Sequence, residues 1–134
     1  MDITLRQITI PAPQPVGEAR WYELCDAEGR TMGKVELIVA RDPEIRIGGH
    51  LSYTVFPAYR GKGVATEGCK LVLEQAKQEC GMDHVDIAVW PDNHISQRVA
   101  EKLGGKLVAK VTLTPEHRLY DSKHPMLYHY RVYL

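Results

Sequence analysis

FPAYRGKGVATEG, residues 56–68, separates a strand from a helix in this sequence of 134 residues. The preceding run, Leu51–Phe56, has strand composition and stops at Pro57. After Val64 the apolar residues recur at helical spacing, with charged residues on the opposite side. A strand that turns directly into an amphipathic helix predicts a mixed α/β fold. The apolar positions of that helix are Ala65, Cys69, Val72, Leu73, Ala76 and Cys80.

The part of the chain before this stretch is typical of strands joined by turns. Alternating residues predict a first strand over Ile3–Ile8, and three prolines, Pro11, Pro13 and Pro15, exclude a helix before about Gly17. A turn with a left-handed glycine, Asp26–Gly29, predicts a hairpin. Its strands are Trp21–Cys25 and Gly33–Val39, and a second turn at Arg41–Glu44 leads into a third strand over Ile47–Phe56.

The part after this stretch alternates helices and strands. The long helix ends at Gly81, and a shorter one, with Ile95, Val99 and Leu103 on its apolar face, ends at Gly104-Gly105. We predict one domain over residues 1–134, with a mixed, mostly antiparallel sheet of about seven strands and two main helices. The remaining strands are Val85–Val89, Lys106–Thr114 and Met126–Leu134.

Composition excludes several classes of function. Lys plus Arg and Asp plus Glu both number 17 without long runs of one sign, so neither nucleic acid nor a membrane surface is the expected partner. No apolar stretch is long enough to span a bilayer, and no signal peptide is evident at the start, which indicates a cytoplasmic protein. The 3 cysteines and 6 histidines lack metal-ligand spacing, so we expect no metal site and no disulfides.

The glycine turn over Arg60–Gly63 has two interpretations. Gly-x-Gly between a strand and a helix is a common way to turn a chain. The alternative is an anion site, because the free N–H groups at a helix start attract phosphate and the two basic residues, Arg60 and Lys62, add charge. Neither the Walker loop nor the Rossmann fingerprint fits, since the latter needs a glycine where this sequence has Thr66.

Two sequence blocks together resemble one family. YRGKGVAT, residues 59–66, follows a strand ending in VFP, and VWPDNHISQRVAEKLGG, residues 89–105, follows the next strand. This order is similar to that of the GCN5-related N-acetyltransferase (GNAT) family, closest to the branch of ribosomal-protein alanine acetyltransferases. The resemblance covers about Gly49 to Gly105 and implies that acetyl-CoA is the co-substrate.

The resemblance also implies which residues bind the coenzyme. The turn and the helix start would hold its pyrophosphate, and the backbone of Val55 and Phe56 would pair with the pantetheine amides. Asn93 and Ser96 match the second motif, although both are also natural capping residues of the short helix. The residues implied for the pyrophosphate are Arg60, Gly61, Lys62, Gly63, Val64, Ala65 and Thr66.

For the reaction, the resemblance implies direct attack by a primary amine, with the Val55 backbone N–H polarising the thioester carbonyl. Cys69 is then interpreted as a core residue rather than a nucleophile. Many family members carry a tyrosine acid at the position of Ala100, so either another group replaces it or solvent suffices. We consider His50 and His84 as bases, and a tail tyrosine as the acid. The tyrosines are Tyr120, Tyr128 and Tyr130, of which Tyr128 is our candidate.

The acceptor site is the second departure from the family. Members place one or two helices between the first strands, whereas here only Pro11–Ala19 joins them, so these helices are reduced or absent. We expect an acceptor cleft that is open or completed in a homodimer, and that takes a small molecule, an amino acid or a protein N-terminus. The alternatives are a catalytically silent acyl-CoA-binding or regulatory module, and an interaction domain whose turn binds nothing.

Overall fold

The computed structural model describes residues 1–8, 18–39, 49–117 and 119–134. The turn predicted at Arg41–Glu44, the beginning of the third predicted strand and most of the Pro11–Ala19 link lie outside these residues. The described elements are β1 (Thr4–Ile8), β2 (Glu18–Cys25), β3 (Thr31–Val39), β4 (Leu51–Val55), a 3-10 turn (Pro57–Tyr59), α1 (Val64–Gln78), β5 (His84–Val89), α2 (His94–Lys102), β6 (Lys106–Thr112) and β7 (Met126–Tyr133).

The predicted fold class is confirmed, with seven strands and two helices among the described residues. The strands form two antiparallel sheets, one ordered β1-β2-β3-β4 and the other β5-β7-β6. Helix α1 packs across the first sheet, and α2 packs on β5 and against α1. β4 and β5 are each at the edge of their own sheet, and the two sheets adjoin at these two strands.

The first hairpin has the predicted turn. Gly29 lies in the left-handed region with φ of +82°, and its N–H donates to the Asp26 carbonyl oxygen at 3.0 Å. The Asp26 carboxylate also accepts hydrogen bonds from the N–H groups of Glu28 and Arg30. The side chain of Asp26 therefore organises the turn that sets the register of β2 against β3.

The strand before the glycine turn is shorter than predicted. β4 begins at Leu51, because Gly49 has φ of +79° and interrupts the extended chain. A Cβ at Gly49 would lie 2.9 Å from the Ala88 backbone nitrogen, so only glycine allows β4 and β5 to approach this closely. The break thus sets where the two sheets touch.

Both helices end as predicted, but one residue does not point where its spacing suggests. After α1, the Met82 N–H donates to the Ala76 carbonyl oxygen, and after α2 the Gly105 N–H donates to the Ala100 carbonyl oxygen. Ile95 was predicted on the apolar face of α2, and this prediction is wrong because the residue is 77% exposed. It lies in the first turn, whereas the buried residues of α2, Val99 and Ala100, lie in its second half.

The core lies mainly between α1 and the first sheet. It is built from aliphatic side chains of β2, β3 and α1, and it continues into β5 and β7. No helix in the described part of the chain is both long and apolar enough to cross a membrane. The core therefore fixes α1, and with it the turn that precedes it, against β4.

Candidate functional site

Hydrogen bonds between His50 and Asp86 join the beginning of β4 to β5. The His50 N–H, just before β4, donates to the Asp86 carbonyl oxygen at 2.6 Å, and the Asp86 N–H donates to His50 Nδ1 at 2.9 Å. No ladder joins Leu51–Val55 to β5 in the described chain, so the space between the facing edges of the two strands beyond His50 is not bridged by ladder hydrogen bonds. We call this space the β4–β5 gap. α1 is the next α-helix after β4, and α2 is the next after β5.

A buried polar cluster closes the narrow end of the β4–β5 gap. Arg131 donates to both carboxylate oxygens of Asp86, at 2.8 and 3.2 Å, and His129 Nε2 lies 3.2 Å from the same carboxylate. Although burial opposes ionisation of Asp86, the His129 and Arg131 contacts lower the pKa of its carboxyl well below the usual range. The cluster carries an ion pair and fixes β5 against β7.

His50, our predicted base, belongs to this narrow end. It is buried, and its ring nitrogen Nδ1 already accepts the Asp86 N–H. Val55 is five residues further along the strand, about 16 Å away at the rise of a β-strand. The His84 ring lies beside the His50 ring, with the two ring centroids 5.9 Å apart, and His84 pairs with Asp83. Their contacts place both histidines at the closed end of the gap, in positions suited to holding the strands together.

The Val55 backbone faces the open end of the β4–β5 gap. Ile38 N–H donates to the His50 carbonyl oxygen and Phe56 N–H to the Met32 carbonyl oxygen, so even-numbered residues of this segment pair with β3. Because an antiparallel strand alternates its hydrogen-bonding direction, the Val55 N–H points away from β3. The Val55 carbonyl oxygen correspondingly accepts from Arg60 Nε at 2.9 Å. Val55 can therefore offer a hydrogen bond inside the gap.

Phe56 differs from Val55 in this respect. Its N–H is used by the Met32 carbonyl oxygen, and its own carbonyl oxygen accepts the Tyr59 N–H, both at 2.9 Å. Only the second acceptor position of that carbonyl is left for a pantetheine amide. Phe56 therefore has no free backbone N–H for the predicted contact with the coenzyme.

The glycine turn exposes its main chain. Gly61 and Gly63 have φ of +77° and +81°, and a Cβ at either position would meet nothing within 4 Å. Open space on this side leaves the backbone accessible to a bulky anion. Lys62 is exposed, with Nζ 6.0 Å from the centre of the Tyr59 ring. Arg60 and Lys62 therefore carry positive charge next to accessible backbone.

The beginning of α1 has no side chain to satisfy its N–H groups. Gly63 is the N-cap, and the first helical bond runs from the Glu67 N–H to the Gly63 carbonyl oxygen at 3.0 Å. The N–H groups of Val64, Ala65 and Thr66 precede that bond and have no helical acceptor. The side chains of Val64 and Thr66 are buried. These three predicted residues can thus contact an anion through the backbone, where the helix dipole favours negative charge.

The second motif forms the beginning of α2. Asn93 is its N-cap, and its side-chain oxygen accepts the Ser96 N–H at 3.1 Å. The capping interpretation of Asn93 is therefore confirmed, and Ser96 takes part in the cap through its backbone N–H. Asn93 is exposed, and its side-chain NH₂ and the Ser96 hydroxyl are further groups that α2 presents at the open end of the β4–β5 gap.

Cys69 is interpreted correctly as a core residue. It is 0% exposed in the middle of α1, and burial raises the pKa of its thiol to about 12. A neutral, inaccessible thiol cannot act as a nucleophile at pH 7. No group of three or more potential metal ligands occurs in the described ranges.

The tail tyrosines lie on β7 and in the preceding loop. Tyr128 is opposite Val89 at the end of β5, half-buried, with Lys110 Nζ 5.1 Å from its ring centre. Tyr130 is buried opposite Ile87, and burial raises the pKa of its hydroxyl. Tyr120 is half-buried in the loop. Of the three, Tyr128 lies closest to the end of β5, where the gap is open.

The structure brings out two groups that the sequence did not indicate. His124 stacks on Trp90 at 4.2 Å, and its two ring nitrogens contact the carboxylates of Asp121 and Asp92 at 3.1 and 3.0 Å. These carboxylates raise the pKa of His124. The second group is Tyr53, whose buried hydroxyl has no hydrogen-bond partner. Neither lies in a recognisable motif, because both positions depend on contacts between distant segments.

A comparison with protein families agrees with this geometry. The acetyltransferase (GNAT) domain matches residues 6–106, about three quarters of the chain. The chain belongs to the GNAT acetyltransferase family. The match includes the whole β4–β5 gap, the glycine turn and the beginning of α2.

Individual relatives of this GNAT chain are distant. The probable N-acetyltransferase YjcK of Bacillus subtilis is 37% identical over 54 residues, which span 40% of this chain and 30% of that protein. A solved chimera of the Vibrio cholerae spermidine N-acetyltransferase SpeG and hSSAT has a TM-score of 0.68 at 18% identity, covering 86% of this chain and 67% of that one. The ribosomal-protein-S5-alanine acetyltransferase of Vibrio fischeri has a TM-score of 0.69 at 19% identity, covering 86% and 61%. At these identities the solved structures show the shared fold.

Proposed function

We propose that this chain is an N-acetyltransferase that transfers the acetyl group of acetyl-CoA to a primary amine by direct attack. One observation carries the proposal: an uncapped helix start, preceded by two left-handed glycines, follows within nine residues a strand whose last N–H points away from β3 into the β4–β5 gap. This arrangement offers an anion site and an oxyanion donor a few residues apart. Membership of the GNAT family supports the same assignment.

The residues around the glycine turn fit the coenzyme. A pyrophosphate would be held by backbone N–H groups from Gly61 to Thr66, with charge from Lys62 and Arg60. The space beside Gly61 and Gly63 is open, as such a group requires. Asn93 and Ser96 would contact the pantetheine arm from the other side of the β4–β5 gap. When bound, the coenzyme supplies the activated acetyl thioester.

The chain's own contribution to the reaction begins with Val55. Its N–H, directed into the β4–β5 gap, would donate to the thioester oxygen as negative charge develops there. One such donor contributes about 3 kcal/mol to transition-state stabilisation. With Cys69 buried and neutral, the amine attacks directly and no acyl-enzyme forms. We assign His50 a positioning role, since its contacts fix β4 against β5 at the narrow end.

The acceptor is a small amine, an amino acid or a protein N-terminus. The related folds include an enzyme named for spermidine and one named for the alanine of a ribosomal protein, so both kinds of amine are candidates. The acceptor cleft is either open or completed by the second copy in a homodimer, and it would admit a protein N-terminus as readily as a small amine. A catalytically silent acyl-CoA-binding module is the second candidate, because Ala100 is fully buried and offers no acid.

Thiol release tests the proposal. The chain is mixed with acetyl-CoA and either a polyamine, free amino acids or a peptide beginning with alanine, and free CoA is measured with a thiol reagent. We expect amine-dependent release and acetylated product by mass spectrometry. Binding of acetyl-CoA without turnover on any amine would favour the silent module, and absence of binding would contradict both functions.

A further inference from the structure

The His124 side chain joins two segments that are far apart in the sequence. It belongs to residues 121–125, which we call the 121–125 segment and which directly precede β7. His124 Nε2 lies 3.0 Å from the carboxylate of Asp92, between β5 and α2, and the ring stacks on Trp90 with centroids 4.2 Å apart. In the described part of the chain, no other hydrogen bond joins the 121–125 segment to residues 90–93. The His124 ring is therefore the polar connection between them.

Both ring nitrogens of His124 face a carboxylate. Nδ1 lies 3.1 Å from Asp121, and Nε2 lies 3.0 Å from Asp92. An ionised carboxylate only accepts hydrogen bonds, and a neutral imidazole has a single N–H to donate. The two contacts can be hydrogen bonds at the same time only when the ring is an imidazolium.

The charges around His124 favour this protonated form, and solvent can reach the ring. Among the described residues, the charged groups that face the ring are Asp92 across the contact and Asp121 and Lys123 on its own segment. The contacts with Asp121 and Asp92 raise the pKa of His124. The His124 side chain is 18% exposed and that of Asp92 is 71% exposed, so protons exchange between this pair and bulk water.

Loss of a proton should break the Asp92 contact rather than the Asp121 contact. Asp121 is held to the ring by its own segment, because its carboxylate accepts the Lys123 N–H at 3.0 Å and its carbonyl oxygen accepts the His124 N–H at 2.8 Å. The side chain of Asp92 comes from another segment and is largely exposed. A neutral ring that donates from Nδ1 to Asp121 turns a lone pair on Nε2 toward the Asp92 carboxylate, which repels it.

The Asp92 contact acts on the beginning of α2. Asp92 directly precedes Asn93, the N-cap residue whose side-chain oxygen accepts the Ser96 N–H. A carboxylate held at residue 92 limits the freedom of the cap that follows it. The state of the His124 ring therefore affects how firmly Asn93 and Ser96 are presented.

We propose that His124 is a pH-dependent strap, whose imidazolium ties the 121–125 segment to Asp92 and fixes the beginning of α2, and whose neutral ring releases it. The expected effect on the coenzyme rests on the proposed transferase function, because Asn93 and Ser96 are its proposed contacts. The strap is complete below the ordinary histidine pKa of about 6.5 and is lost as the pH rises through the raised pKa of the folded chain.

Side-chain ¹⁵N NMR of a histidine-labelled chain tests the strap without any ligand. In acid, both nitrogens of His124 should be protonated, and the indole N–H signal of Trp90 should shift with the same pH midpoint as the His124 ring. Asp92→Asn should lower the pKa of His124, whereas the control Asp2→Asn, which removes an exposed carboxylate elsewhere, should not. A His124 pKa that is the same in both variants and the parent would overturn the inference.

The Kd for acetyl-CoA tests the link to the coenzyme. It is measured at about pH 5 and about pH 9, on either side of the histidine range, in the parent, Asp92→Asn and His124→Gln. Dividing each value by that of His124→Gln removes the titration of the coenzyme's own phosphates. The parent ratio should rise about two- to fivefold from acid to alkali, and the Asp92→Asn ratio should stay constant.

The outcomes separate the strap from the proposed function. A parent ratio that does not change with pH, in a chain that binds acetyl-CoA, would overturn the inference that His124 acts on the coenzyme contacts. No binding of acetyl-CoA at either pH would overturn the proposed function, whereas the NMR titration would still support or overturn the strap.

Discussion

Replacing Gly63 by aspartate or asparagine separates the charge of the glycine turn from its shape. Gly63 has φ of +81°, a conformation that both substitutes tolerate better than other residues with side chains. The two variants are nearly the same size and differ by one negative charge. Both side chains enter open space, since a Cβ at this position meets nothing within 4 Å. Any difference between them therefore reports the charge alone.

The charge has opposite effects on the free and the bound protein. At the beginning of α1 a carboxylate interacts favourably with the helix dipole, by about 0.3 to 1 kcal/mol, so Gly63→Asp should be at least as stable to denaturation as Gly63→Asn. The same carboxylate, about 5 Å from a pyrophosphate, repels it by about 1 to 3 kcal/mol at an exposed site. We expect acetyl-CoA to bind Gly63→Asp about five- to a hundredfold more weakly than Gly63→Asn.

Titration calorimetry at low salt measures the two Kd values, and chemical denaturation measures the two stabilities. Repeating the titrations at about 1 M salt should reduce the difference in affinity, because the screening length falls to about 3 Å. Equal affinity of both variants at low salt would refute the assignment of the turn to the pyrophosphate.

Three further predictions concern the framework of the site. Asp86→Asn should lower the free energy of unfolding by about 3 kcal/mol, because Arg131 loses its buried ionic partner. Since the folded pKa of Asp86 is depressed, this stabilisation is present above about pH 4 and should fade in acid as the pH falls toward the folded pKa. His124 has a raised pKa, so its contribution is complete below about pH 6.5 and is lost as the pH rises through the folded value. Parent and His124→Asn stabilities should therefore converge in alkali. Gly49→Ala should destabilise about 1 to 3 kcal/mol more than Gly29→Ala, because both have positive φ but only Gly49 lies against β5. Equal stability of the parent and Asp86→Asn, or of Gly49→Ala and Gly29→Ala, would contradict the corresponding contact. For His124, a stability difference between parent and His124→Asn that is zero or independent of pH would do so.

Local sequence signals predicted the elements of this fold well. The hairpin at Asp26–Gly29, the length of α1 and both glycine helix ends follow from spacing and turn residues, and the structure has them. The errors arise where tertiary contacts decide. Gly49 shortens β4 because β5 passes within contact distance, and Ile95 is exposed because only the second half of α2 is buried. Neither effect produces a periodic pattern of residues in the sequence.

The candidate site was predictable only in its contiguous parts. The glycine turn and the Asn93–Ser96 cap are short motifs that can be recognised in the sequence itself. In contrast, the contact between His124 and Asp92 joins residues about thirty positions apart in the sequence. Tyr53 of β4 likewise interacts with Ser96 of α2, more than forty positions away. Strand alternation, once β3 and β4 are paired, decides that Val55 and not Phe56 has a free N–H. The direction of a backbone N–H depends on the register between two strands, and the spacing of residues in the sequence does not give that register.

Backbone amide chemical shifts test the central claim most directly. In a ¹⁵N-labelled chain titrated with acetyl-CoA, the largest changes should fall on the amides of Gly61 to Thr66 and on Val55. Replacing acetyl-CoA by CoA should then move Val55 most, because the acetyl carbonyl is its proposed acceptor, while the turn stays unchanged. Saturable binding that leaves the turn and Val55 unperturbed, or no binding at all, would contradict the account.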